Sequence, residues 1–99
     1  MDKRIFKYTL TGPNCTFRLP LGSTILSALV QDPYIVFYAL VPETELSPNQ
    51  FHFVCLNTGN VIRPEIEQTY KFLTTLQTAN GIVWHVYYSI ILDKKGDTN

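Results

Sequence analysis

The sequence predicts an all-β fold: about seven short, mainly antiparallel strands in a small sandwich or partly open barrel, with at most one short helical turn. Three observations carry that expectation. Apolar and polar residues alternate with period two along most of the chain, the pattern of a pleated strand with one buried face. Glycine, proline and asparagine clusters cut the chain at short intervals. No stretch combines helical periodicity with the length an autonomous helix needs.

The elements follow in order. In residues 5–10, Phe6, Tyr8 and Leu10 share one face and Lys7 and Thr9 the other. Thr11-Gly12-Pro13-Asn14 is a turn signal. Residues 15–19 alternate again, Cys15, Phe17 and Leu19 inward and Thr16 and Arg18 outward, so the two segments are expected to form an antiparallel hairpin. After Pro20-Leu21-Gly22-Ser23, residues 24–31 are aliphatic and mixed in period. Asp32-Pro33 stops them after eight residues, which favours a strand over a helix. Residues 34–41 are apolar throughout and rich in β-branched and aromatic side chains, as a central strand covered on both sides would be.

Residues 42–49, with two prolines and two glutamates, read as a surface loop. Residues 51–56 place Phe51, Phe53 and Cys55 on one side and His52 on the other. Asn57-Thr58-Gly59-Asn60 turns the chain, and Pro64-Glu65-Ile66-Glu67 suits a single helical turn, with proline and acid at its start. Segments 70–78 and 82–92 flank Ala79-Asn80-Gly81, and Asn-Gly predicts a hairpin with a type I′ turn. In the last strand Ile82, Trp84, Val86, Tyr88 and Ile90 face one way, and Val83, His85, Tyr87 and Ser89 the other. The chain is thus expected to be one β domain over residues 1–92 followed by a polar tail, 93–99.

Bulk composition narrows function by exclusion. Eight Lys+Arg balance eight Asp+Glu in 99 residues, without the basic excess that displaces counterions from phosphates, so bulk nucleic-acid binding is not expected. A neutral chain repels its own copies weakly, and a homodimer is expected, with the long aromatic strand 84–92 as the candidate seam. The longest apolar run, residues 34–41, is too short to span a bilayer. No signal-peptide pattern follows Met1-Asp2-Lys3-Arg4, so an intracellular protein is expected, with Cys15 and Cys55 as reduced core thiols.

No motif for chemistry emerges, and neither an enzyme, a cofactor nor a metal site is expected. His52 and His85 sit on different strands, on faces opposite to those of the cysteines, with no ligand spacing. Ser27 and Ser89 have no assignable triad partners. Thr58-Gly59-Asn60 has the form of a short anion nest, yet a turn that needs its glycine explains it more simply. The surplus is aromatic: six Tyr, six Phe and one Trp. Tyr34, Tyr38, Tyr87 and Tyr88 cannot all point inward on alternating strands, and outward tyrosines are favoured contact residues at interfaces. Arg18 and Arg63, with Thr58 and Asn60, are the candidates for holding an anionic group.

Lys3-Arg4-Ile5-Phe6-Lys7-Tyr8, Leu19-Pro20-Leu21-Gly22-Ser23-Thr24-Ile25-Leu26, Gln31, Phe37-Tyr38-Ala39-Leu40-Val41, Thr58-Gly59-Asn60-Val61-Ile62 and Gly81-Ile82-Val83-Trp84-His85-Val86-Tyr87 form a collinear pattern across most of residues 3–88. It resembles a family of short uncharacterised proteins encoded by bacteriophages and prophages. Where that family tends to carry a histidine after Thr-Gly, this chain has Asn60. The resemblance implies a small phage accessory protein in the cytoplasm of the infected bacterial host, and implies no reaction. The expected function is binding: inhibition of a host protein such as a component of bacterial immunity. The alternatives are a sponge for a nucleotide-type signalling ligand and a virion structural or assembly component.

Overall fold

The structure, a computed structural model, describes residues 2–43 and 48–91. Its seven strands are β1 (Lys3–Leu10), β2 (Asn14–Pro20), β3 (Thr24–Gln31), β4 (Tyr34–Pro42), β5 (Pro48–Asn57), β6 (Lys71–Gln77) and β7 (Val83–Ile91), with one short helix, α1 (Pro64–Thr69), before β6. They form two antiparallel sheets, one ordered β1-β4-β3 and the other β2-β5-β7-β6. The sheets pack face to face without closing into a barrel, so the all-β sandwich expectation holds. The loop expected at 42–49 is shorter than that: Pro42 ends β4, and Pro48 and Asn49 open β5, with Asn49 buried. Residues 44–47 and all of the tail 93–99 lie outside the described residues.

The inner faces follow the alternation. Phe37, Ala39 and Val41 of β4 meet Phe51, Phe53 and Cys55 of β5, with Leu10, Leu19, Ile25 and Val86 around them. The Phe37 and Phe53 rings stack across the two sheets at 4.3 Å, and Phe17 meets Phe37 edge-on at 5.0 Å. β4 is the central strand of its sheet and is buried at Val36 and Phe37, but the cover expected on both sides is partial, since Tyr34 on the outer face is exposed.

Two expected local structures are corrected. β1 and β2 do not form a hairpin: β1 pairs with β4 and β2 with β5, so the 11–13 turn carries the chain from one sheet to the other. A strand that changes sheets keeps the same inward alternation as a strand that turns back, and periodicity cannot tell them apart. The β6–β7 hairpin is present, but its turn is not type I′. Asn80 has no positive φ; Gly81 alone does, at 88°. Gly81 N–H donates to Thr78 O at 2.9 Å and Thr78 N–H to Ile82 O at 3.0 Å. That is a three-residue loop in which glycine takes the left-handed position after a tighter turn.

β5 and β6 both run antiparallel to β7. They are therefore parallel to each other, and the chain between them must travel back along the sheet. That crossover, residues 58–70, contains α1. Proline in the first turn of α1 gives up no intrahelical bond, and Glu65 and Glu67 sit where the helix dipole favours acids.

Candidate functional site

The crossover distinguishes the outer faces of the two sheets. Over the four-stranded sheet it forms a groove of about 530 Å³ whose lining includes Asn14, His52, Val54, Arg63, Ile66 and Tyr70. Val54 is on the outer face by register, opposite Asn14 and Tyr87, yet it is only 6% exposed. Ile66 and Tyr70 of the crossover line the same groove. Tyr70 meets the His52 ring edge-on at 6.0 Å.

Both histidines on this face are held by threonines. His52 Nδ1 lies 2.6 Å from Thr16 Oγ1. His85 is clamped on both ring nitrogens, Nε2 at 2.8 Å from Thr58 Oγ1 and Nδ1 at 3.0 Å from Thr75 Oγ1. A neutral imidazole needs one donor and one acceptor, and a hydroxyl serves as either. Thr58 thereby ties the start of the crossover to β7. The Asn57–Asn60 turn closes on itself: Asn60 N–H donates to Asn57 O at 3.0 Å, and Asn57 N–H to Asn60 Oδ1 at 2.7 Å. Gly59 supplies the positive φ, 94°. The Asn60 amide is therefore committed within the turn, where an anion nest would need it free.

The three-stranded sheet has no such roof among the described residues. Its outer face presents Ile5 and Lys7 from β1, Tyr34, Val36, Tyr38 and Leu40 from β4, and Leu29 from β3, as the registers place them. Ile5 is 61% exposed, Tyr34 54% and Leu29 38%. Lys7 Nζ donates to Gln31 Oε1 at 3.0 Å, and Gln31 Nε2 to the Tyr38 hydroxyl at 3.4 Å, so a polar bridge crosses the middle of the face.

The candidate residues thus divide. Tyr34 and Tyr38 share the open face. Arg18 and Tyr87 lie on the outer face of the other sheet, and Asn60 and Arg63 line its groove. Tyr87 meets Phe72 edge-on at 5.4 Å. Tyr88 points inward, packed on the core and stacked on Phe53 at 5.9 Å, so it belongs to the fold. No single site gathers the set. Sequence reasoning missed His52, Tyr70 and Asn14 as groove residues, because only the path of the crossover brings them together.

A second cavity, about 340 Å³, opens at one end of the sandwich between Leu10, Pro13, Tyr34, Ile35, Cys55 and Trp84. Both cysteines are free. Burial, with Cys15 nearby as a lesser cause, pushes the Cys55 thiol up to about 11. At neutral pH it is a protonated thiol, without the thiolate that a nucleophile needs. No helix among the described residues is long and apolar enough to cross a membrane.

No curated protein and no solved structure matches this chain. Residues 1–95 match the model of a domain of unknown function, DUF7352, and the chain belongs to that family.

Proposed function

We propose that this chain is a phage-encoded accessory protein that acts by binding, covering a surface on a protein of the infected host, of the kind that serves bacterial immunity. The observation that carries the reading is the open outer face of the three-stranded sheet, where Ile5, Leu29 and Tyr34 stand exposed on a rigid, core-backed strand array. Exposed apolar and tyrosine side chains on a pre-ordered surface cost little entropy on binding and suit a protein partner. The occupied histidine rings and the protonated Cys55 thiol favour binding over catalysis. The resemblance to short phage proteins supplies the host as the source of the partner, and the host cytoplasm as the place. Capture from host lysate tests it: a discrete partner retained by the parent chain and lost by a Leu29→Ser/Tyr34→Ser variant is expected. No partner, or one indifferent to those changes, would refute it.

A second reading is favoured by the groove, where Arg63, His52 and Tyr70 offer a cation and two rings of the kind that hold a nucleotide-type ligand. Thermal shift against cyclic di- and oligonucleotides should then show stabilisation that Arg63→Ala abolishes. A virion role, the third reading, predicts the chain in mass spectra of purified particles.

A further inference from the structure

We propose that two copies of this chain join antiparallel through the free edge of β1, fusing two three-stranded sheets into one six-stranded sheet. This goes beyond the binding function and does not depend on it.

The four sheet edges are not alike. β3 breaks register between Ile25 and Ser27, and β6 between Phe72 and Thr74. Such bulges twist an edge away from further pairing. β2 ends in Pro20 and turns Asn14, Thr16 and Arg18 outward. β1 has neither a bulge nor a proline; its protection is limited to the charges of Lys3, Arg4 and Lys7. It keeps register with β4 over eight consecutive pairs and has no partner on its other side among the described residues. Residues 3–7 are exposed on both faces, with Ile5 61% and Phe6 46% accessible. Phe6 belongs to the inner-face set, so its exposure marks a place where the opposite sheet stops short.

The open backbone groups can be assigned. Glu43 N–H donates to Asp2 O at 3.0 Å, in step with the Lys3–Pro42 pair that follows. Hydrogen-bonded pairs alternate along an antiparallel ladder, so Arg4, Phe6 and Tyr8 bond to β4. The N–H and C=O groups of Lys3, Ile5, Lys7 and Thr9 then point away from it.

Charge and ladder length select the register. A two-fold axis between identical antiparallel strands must place one residue opposite its own copy. Centring on Ile5 sets Lys3 against Lys7, and centring on Lys7 sets that lysine against itself; like charges directly opposite are unfavourable. Centring on Phe6 sets Phe6 against Phe6, Ile5 against Lys7 and Arg4 against Tyr8. Centring on Tyr8 also avoids like charges but pairs only residues 6–10 of β1, against 3–9 for Phe6. The Phe6 register therefore gives the longer ladder, with an aromatic centre flanked by cations over apolar or aromatic partners. Zero net charge adds no long-range repulsion.

The test is the solution mass of the full chain by sedimentation. The expected result is twice the 11.3 kDa of the single chain. Phe6→Glu, which sets two carboxylates face to face at the dyad, should halve that mass. Phe72→Glu, an equivalent change at an aromatic 55% exposed on the bulged β6 edge, should leave it unchanged. Ile5→Pro removes an N–H that points away from β4, so it too should give a monomer with the strand content of the parent chain by circular dichroism. This second variant decides the matter if Phe6→Glu does not fold. A parent chain that remains at 11.3 kDa at millimolar concentration, or a dimer that survives Ile5→Pro, overturns the proposal.

Discussion

The outer faces of the two sheets have the same origin and different fates. Each is the side of a strand array turned away from the shared core. Over one, the chain crosses back between two parallel strands, and Ile66 and Tyr70 line a groove together with Val54. Over the other, nothing among the described residues lies above Leu29 or Tyr34. The difference teaches that connectivity acts together with strand position: Val36, on the central β4 of the unroofed face, is 2% exposed, while Leu29 sits on the edge strand β3. Val54 and Leu29 are both aliphatic outer-face residues, yet one is 6% exposed and the other 38%.

The largest expected effect sets the scale, because it strikes the core that both sheets share. Phe37→Ala, at a fully buried ring stacked on Phe53, should cost about 3–5 kcal/mol in denaturant unfolding. Val54→Ser should cost about 2–3 kcal/mol, from lost burial plus a hydroxyl placed under the crossover. Leu29→Ser, the matched change on the open face, should stay within about 0.5 kcal/mol. Equal losses at positions 54 and 29 would show that the crossover does not seal the face beneath it.

Thr58→Val removes one of the two hydroxyls on His85 and should cost about 1 kcal/mol. Amide exchange should quicken in residues 58–70 while the three-stranded sheet keeps its protection.

The smallest effect is pH-dependent. Cys55 has its thiol raised from 9.0 to about 11 in the fold, so the folded state holds that proton more tightly than the unfolded state does. Its contribution is complete below about pH 9 and is lost as pH rises toward 11. Melting temperature should fall across that window, and Cys55→Ala should flatten part of the slope. Tyr8, raised by burial in the same direction, leaves a remainder.

Much of the fold was legible in single residues. Alternation assigned Phe51, Phe53 and Cys55 to the core side and His52 to the other, and the apolar run over residues 34–41 marked a central strand, although its outer face is open at Tyr34. The 64–67 turn and the final hairpin were legible too, because proline and glycine act locally. The pairing of β1 with β4 was not, since alternation specifies a face and leaves the neighbour open. The groove was hidden for the same reason. His52, Arg63 and Tyr70 are spread over 19 positions, and only the return path of the chain brings them together. The strand 84–92, expected as the seam of a homodimer, could pair with a second copy only through its side chains. β7 is bonded to β5 on one side and β6 on the other, so its backbone has no free edge to offer.

The segregation of strands between sheets also sets an order of synthesis. β1, β3 and β4 are all complete in chain order by Pro42, so the three-stranded sheet has its full complement of strands before β5 is made. The four-stranded sheet waits for β7, which ends at Ile91. Until β5 follows, the inner side of the first sheet, with Phe37 at its centre, has only β2 to shield it from water. Nascent chains on neighbouring ribosomes would be most prone to stick to one another in that window.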